Sequence, residues 1–144
     1  MSILFCKRIT GCDSNCIRAM VQKMMNCIKA WKSLSDEEEY EFRLILNELI
    51  ANGTVHGNKR LCDKTITVRI EAVDPNTIEI TIQDEGMGFD YRRFFREGYP
   101  CDMDPYSERG RGLKLIRAIC DDIMFNQAGN QIRIYKTIKK NAER

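Results

Sequence analysis

Two stretches of this chain, Thr65-Ile66-Thr67-Val68-Arg69-Ile70-Glu71 and Thr77-Ile78-Glu79-Ile80-Thr81-Ile82-Gln83, alternate strictly between apolar and polar residues. Asp74-Pro75-Asn76 lies between them as a turn. Side chains of a strand alternate between its two faces, so these runs form an antiparallel hairpin with one apolar face. That face needs a layer to cover it. The chain offers helices for it. In Phe42-Arg43-Leu44-Ile45-Leu46-Asn47-Glu48-Leu49-Ile50-Ala51-Asn52 the apolar residues at 42, 45, 46, 49 and 50 make a stripe of helical period.

The remaining elements follow from the same signals. Residues 2–9 read as a strand. Residues 14–30 read as a helix with Ile17, Met20, Val21, Met24 and Ile28 on one face and Asp13 or Ser14 as its cap. Ser35-Asp36-Glu37-Glu38 is a helix start with capping-box spacing, and that helix runs to about 56 with Gly57 as its C-cap. Residues 85–110 hold four glycines and two prolines and read as a long loop with one short helical piece near 91–96. A helix from Gly112 to about Asp121 follows. Strands at 122–127 and 131–137, joined by a Gly129-Asn130 turn, close the chain. The order β-α-α-β-β-loop-α-β-β predicts an α+β two-layer sandwich: one mixed, mostly antiparallel sheet with helices on one face. We read residues 1–144 as a single domain.

Composition narrows the function classes. A formal net charge of +2 over 144 residues gives no reason to expect direct nucleic-acid binding. No segment is apolar enough to span a membrane, and the run Ile3-Leu4-Phe5-Cys6 is too short for a signal peptide. The seven cysteines are odd in number and scattered, which suits reduced thiols and a cytoplasmic protein better than a disulfide framework. A metal or redox site at Cys12 and Cys16 is the weaker reading.

Three clusters carry chemistry. The first is Glu48 and Asn52, four residues apart on one helical face, followed by His56-Gly57-Asn58. A carboxylate beside an amide oxygen suits a magnesium site and a water-activating base. The second is Asp84-Glu85-Gly86-Met87-Gly88 at a strand end, where Gly86 and Gly88 permit close approach to a flat ligand and Asp84 accepts from the exocyclic amine of a purine. The third is Glu108-Arg109-Gly110-Arg111-Gly112-Leu113 before a helix, where backbone N–H groups and two arginines suit phosphates. Each has a bland reading as a solvated acid, a turn or a helix start. Their order along the chain favours a site.

These clusters resemble the N-box and the two glycine boxes of the GHKL (Bergerat-fold) ATPases, and the resemblance covers nearly the whole chain. Within that superfamily Asn47-Glu48-Leu49-Ile50-Ala51-Asn52, His56-Gly57-Asn58 and Gly112-Leu113-Lys114-Leu115-Ile116 look most like the stand-alone anti-sigma factor serine/threonine kinases. The resemblance implies ATP and Mg²⁺ as cofactors. It makes Glu48 the catalytic base, Asn52 the metal ligand and Asp84 the adenine-binding residue. His56, Gly57, Gly86 and Gly88 then line the nucleotide, and Arg109, Gly110, Arg111, Gly112 and Leu113 lie along the phosphates. Residues 89–109 become an ATP lid. Relatives often place one more residue before the first glycine of the third cluster, so the match at Glu108 and Arg109 is offset.

The implied activity is transfer of the ATP γ-phosphate to a serine or threonine of an antagonist protein, in a protein that also binds a sigma factor or an analogous target. His56 is the only histidine, and it lies inside the nucleotide motif, which argues against an autophosphorylating histidine kinase. The alternative is a non-catalytic switch that binds ATP or ADP to set a protein-binding surface. An ATPase subunit is a third, weaker reading. The first strand is able to pair edge to edge in a homodimer.

Overall fold

A computed structural model describes residues 2–10, 14–57, 64–86 and 108–139, leaving aside the side chains of 14, 55–57 and 108–111. The elements are β1 (Ser2–Thr10), α1 (Ser14–Trp31), α2 (Asp36–Ala51), a π-helical turn (Asn52–Gly57), β2 (Thr65–Asp74), β3 (Thr77–Gln83), α3 (Glu108–Ile119), β4 (Asp122–Phe125) and β5 (Gln131–Thr137). The strands form one sheet in the order β1-β2-β3-β5-β4. All four pairings are antiparallel, so the parallel component of a mixed sheet is absent among the described residues.

Among the described residues, helices cover one face of this sheet. Along β2 the inward residues Ile66, Val68, Ile70 and Ala72 are buried, while Thr67 and Arg69 between them are exposed. Ile78, Ile80 and Ile82 of β3 and Ile132 and Ile134 of β5 continue the buried face. Against it pack Val21, Met24, Met25 and Ile28 of α1, Phe42, Ile45, Leu46, Leu49 and Ile50 of α2, and Leu113 and Ile116 of α3. Met24 and Met25 are core filling. The open face carries polar pairs instead, among them Arg69–Glu71 at 3.1 Å and Tyr135 donating to Glu79 at 2.6 Å. This is the alternation expected of an antiparallel sheet with one wet side.

The α2 start matches its sequence signature. Ser35 Oγ accepts from the Glu38 N–H at 3.1 Å, and Glu38 Oε1 accepts from the Ser35 N–H at 3.0 Å. Glu38 is buried because its other oxygen accepts from the Lys139 N–H at 2.7 Å, tying the helix start to the end of β5. Lys136, also buried, donates to Glu41 Oε1 and to the Ile119 carbonyl, each at 2.7 Å. One ammonium thus joins α2, the C-terminus of α3 and β5.

Three boundaries differ from the sequence reading. The α-helical ladder of α2 stops at Ala51, and the chain widens into the π-helical turn instead of running as α-helix to 56. Thr54, buried, turns its hydroxyl back onto the Ile50 carbonyl at 2.9 Å, a local bond that competes with the regular ladder. Helix α3 begins at Glu108, four residues before the expected Gly112, so Gly110 and Gly112 lie within its first turns. Strand β4 ends at Phe125 because Asn126 opens the turn to β5. The expected helical piece near 91–96 lies outside the described residues. No helix among the described residues is long and apolar enough to cross a membrane.

Candidate functional site

Helix α2 positions the first pair. The N–H of Asn52 is shared between the carbonyls of Glu48 and Leu49. Asn52 keeps helical backbone angles, φ −58° and ψ −45°, so it stays one turn from Glu48 on the same side. Both side chains are half-buried, flanking the fully buried Leu49. The π-helical turn begins at Asn52, and such widened turns recur at functional sites.

Two glycines bring the other clusters to this pair. A Cβ placed on Gly112 overlaps Glu48 Oε1 and comes within 3.3 Å of Glu48 Cδ. The first turns of α3 therefore lie directly on the Glu48 carboxylate, and any side chain at 112 displaces it. Gly112 is the fifth residue of α3, where helix geometry commits its N–H to the Glu108 carbonyl. The absence of a side chain at 112 leaves room for that carboxylate. Gly110 falls among the first four residues, whose N–H groups have no partner within the helix. On the other side, a Cβ on Gly53 sits 3.0 Å from Ile66 Cγ2, 3.6 Å from Ile82 Cγ2 and 3.8 Å from Asp84 Cβ. The residue after Asn52 thus packs against the residue expected to hold the purine.

Asp84 stands half-buried at the end of β3. Its Oδ1 accepts from the Gly86 N–H at 2.7 Å, closing a tight turn, and its own N–H donates to the Asn130 carbonyl at 3.0 Å. Glu85 points the other way and accepts from the N–H and hydroxyl of Thr65. Those two bonds hold the exposed Glu85 carboxyl below the usual carboxylate range. Leu49, Asn52, Gly53, Asp84, Asn130 and Ile132 border a pocket of about 20 Å³, room for about one water.

Leu113 is buried in the core, with Ile116 one turn on, so it anchors α3 beside the site. For His56, Gly57, Arg109, Gly110 and Arg111 the structure gives only backbone, in the π-helical turn and in the first turn of α3. Gly88 and residues 89–107 lie outside the described residues. Two residues that motif reading missed are Asn126 and Asn130, in the turn between β4 and β5. The sequence marks the turn by Gly129-Asn130 but gives no sign that it reaches Asp84, 46 positions earlier.

No group of three or more acidic, cysteine or histidine side chains among the described residues makes a metal cage. The Glu48 and Asn52 pair fits a different kind of site. Mg²⁺ takes one or two protein oxygens and completes its shell with phosphates and water.

Known proteins resemble this chain over most of its length. The family model described as "Histidine kinase-like ATPase domain" matches residues 14–136, from the start of α1 into β5. The chain is similar to the anti-sigma F factor of Bacillus velezensis, 23% identical over 107 residues that cover 72% of this chain and 73% of that protein. It is also similar to the anti-sigma F factor of Heyndrickxia coagulans, 26% identical over 102 residues that cover 68% and 69%. A domain of this description binds ATP. The match spans the helices and four of the five strands, and on that extent the chain belongs to the histidine kinase-like ATPase domain family.

Proposed function

We propose that the protein is an ATP- and Mg²⁺-binding regulator of the anti-sigma factor kinase type, which transfers the γ-phosphate of ATP to a serine or threonine of an antagonist protein. The observation that carries this reading is the convergence of the three clusters on α2 and the π-helical turn that follows it: Gly112 against Glu48, and Gly53 against Asp84. The names of the two relatives, both anti-sigma F factors, support the regulatory setting, with a sigma factor or analogous target and an antagonist as partners.

In this reading Asp84 accepts a hydrogen bond from the adenine amine. Asn52 holds Mg²⁺, which supplies charge neutralisation on the phosphates. Gly110 contributes backbone N–H at the positive end of α3, and the side chains of Arg109 and Arg111 serve the phosphates as well. Glu48 orients the attacking hydroxyl and takes its proton. The hydroxyl oxygen bonds to the γ-phosphorus while the bond to the β–γ bridging oxygen breaks, and ADP leaves.

Two measurements test it. Mg-ATP binding is expected to weaken at least tenfold in Asp84→Ala, and equal affinity overturns the site assignment. Labelled ATP with the antagonist is expected to pass label in the wild type and not in Glu48→Ala. Binding without transfer in the wild type would instead establish the non-catalytic switch.

A further inference from the structure

The turn between β4 and β5 holds the Asp84 turn from both ends. Asn126 Oδ1 accepts from three backbone N–H groups, those of Gly129 at 2.7 Å, Asn130 at 3.1 Å and Gln131 at 3.2 Å. With its oxygen so engaged, the Asn126 amide nitrogen must face outward, and it donates to Asn130 Oδ1 at 2.8 Å. That bond fixes the Asn130 amide in one of its two flips. Its nitrogen then donates to the Gly86 carbonyl at 3.2 Å. The backbone carbonyl of the same Asn130 accepts from the Asp84 N–H at 3.0 Å. Residues 84 and 86, the two ends of the turn that aims the Asp84 carboxylate, thus hang on one asparagine, whose orientation is set by another.

Resting on the reading of Asp84 as the purine-amine acceptor, we propose that Asn126 and Asn130 are positioning residues that set the preference of the site for a 6-amino purine over a 6-oxo purine. The carboxylate rewards an amine and repels a carbonyl only if it is held at one position. Turning the Asn130 amide over places its oxygen against the Gly86 carbonyl, and the repulsion pushes the turn away. Asn126→Asp makes that reversal without dismantling the turn. A carboxylate at 126 still accepts from the three N–H groups but offers no donor to Asn130, whose amide nitrogen swings toward it instead.

The test titrates Mg-ATP and Mg-ITP, which carries a carbonyl in place of the 6-amine, against the wild type, Asn126→Asp, Asn130→Ala and Asp84→Ala, with thermal melts alongside. A hydrogen bond to a charged group predicts a wild-type preference for ATP of roughly tenfold to a hundredfold. Asn126→Asp and Asn130→Ala are expected to lose most of that preference through weaker ATP binding. ITP affinity holds or rises as the repulsion is released, and Asn126→Asp keeps its melting temperature within a few degrees. Parallel loss of both nucleotides, or an intact preference in both variants, overturns the positioning role. A wild type with no preference, or one that Asp84→Ala retains, overturns the purine reading itself and the proposal with it.

Discussion

Replacing Gly112 by alanine puts two opposed effects on one atom. Gly is worse than Ala inside a helix by about 0.5–1 kcal/mol, so the substitution should stabilise α3. The new Cβ overlaps Glu48 Oε1, and overpacking costs about 1–3 kcal/mol where neighbours cannot move. Here the atom met is the far end of a flexible, half-buried side chain, and Glu48 escapes by swinging aside, at about 0.5–1.5 kcal/mol where a χ angle is left off its staggered well. The two effects nearly cancel. A domain of this size shifts its melting temperature by about 4 °C per kcal/mol, so the melt should move by no more than about 4 °C either way. Function should not be spared. A displaced general base loses about 10²–10⁴ in rate, so label transfer from ATP to the antagonist should fall at least a hundredfold while Mg-ATP affinity changes far less. Paired melting curves, nucleotide titrations and transfer assays read all three quantities. An unfolded or strongly destabilised Gly112→Ala would show that Glu48 is rigidly held. An undiminished transfer rate would show that the carboxylate against Gly112 is not the base.

Two more expectations concern the scaffold. Lys136→Met leaves Glu41 and the Ile119 carbonyl without their shared ammonium, so urea unfolding should report a loss of about 2–4 kcal/mol, and a change below about 1 kcal/mol would refute the three-element tie. Burial raises the Cys120 thiol to about 11 from 9.0, which lowers its thiolate fraction at pH 8 about a hundredfold. Iodoacetamide at that pH should label the exposed Cys6 and Cys16 well before Cys120 in the folded protein, as peptide mapping would show. The neutral thiol is the favoured folded form. Its contribution to stability is therefore full below pH 9.0 and is lost as pH rises through about 11, whereas a melting temperature that climbs over that window would contradict the assignment.

Much of the layout was legible because it is written in local periodicity. The alternating runs at 65–71 and 77–83 became β2 and β3, and the stripe at 42, 45, 46, 49 and 50 is the buried side of α2. Ser35 and Glu38 announced their cap, since a capping box needs only residues within one turn. Element ends were less legible. The hydroxyl of Thr54 bonds back to Ile50 in competition with the regular ladder, and α3 starts at Glu108, four residues before its glycine pattern suggested. The candidate site divides the same way. Glu48, Asn52, Asp84 and the glycines stand out as motifs. Asn126 and Asn130 do not, because a turn asparagine looks the same whether or not another strand end lies against it.

Local patterning along the chain specifies the elements, the apolar face of each and the residue types on offer for a phosphate, a metal and a purine. Neighbours along the chain are enough to fix those. Packing in three dimensions is what brings Gly112 against Glu48, Gly53 against Asp84 and Asn130 onto the Asp84 turn. These contacts join residues far apart in sequence, and they exist only once the sheet order β1-β2-β3-β5-β4 sets β5 beside β3 and the shared core seats α3 against α2.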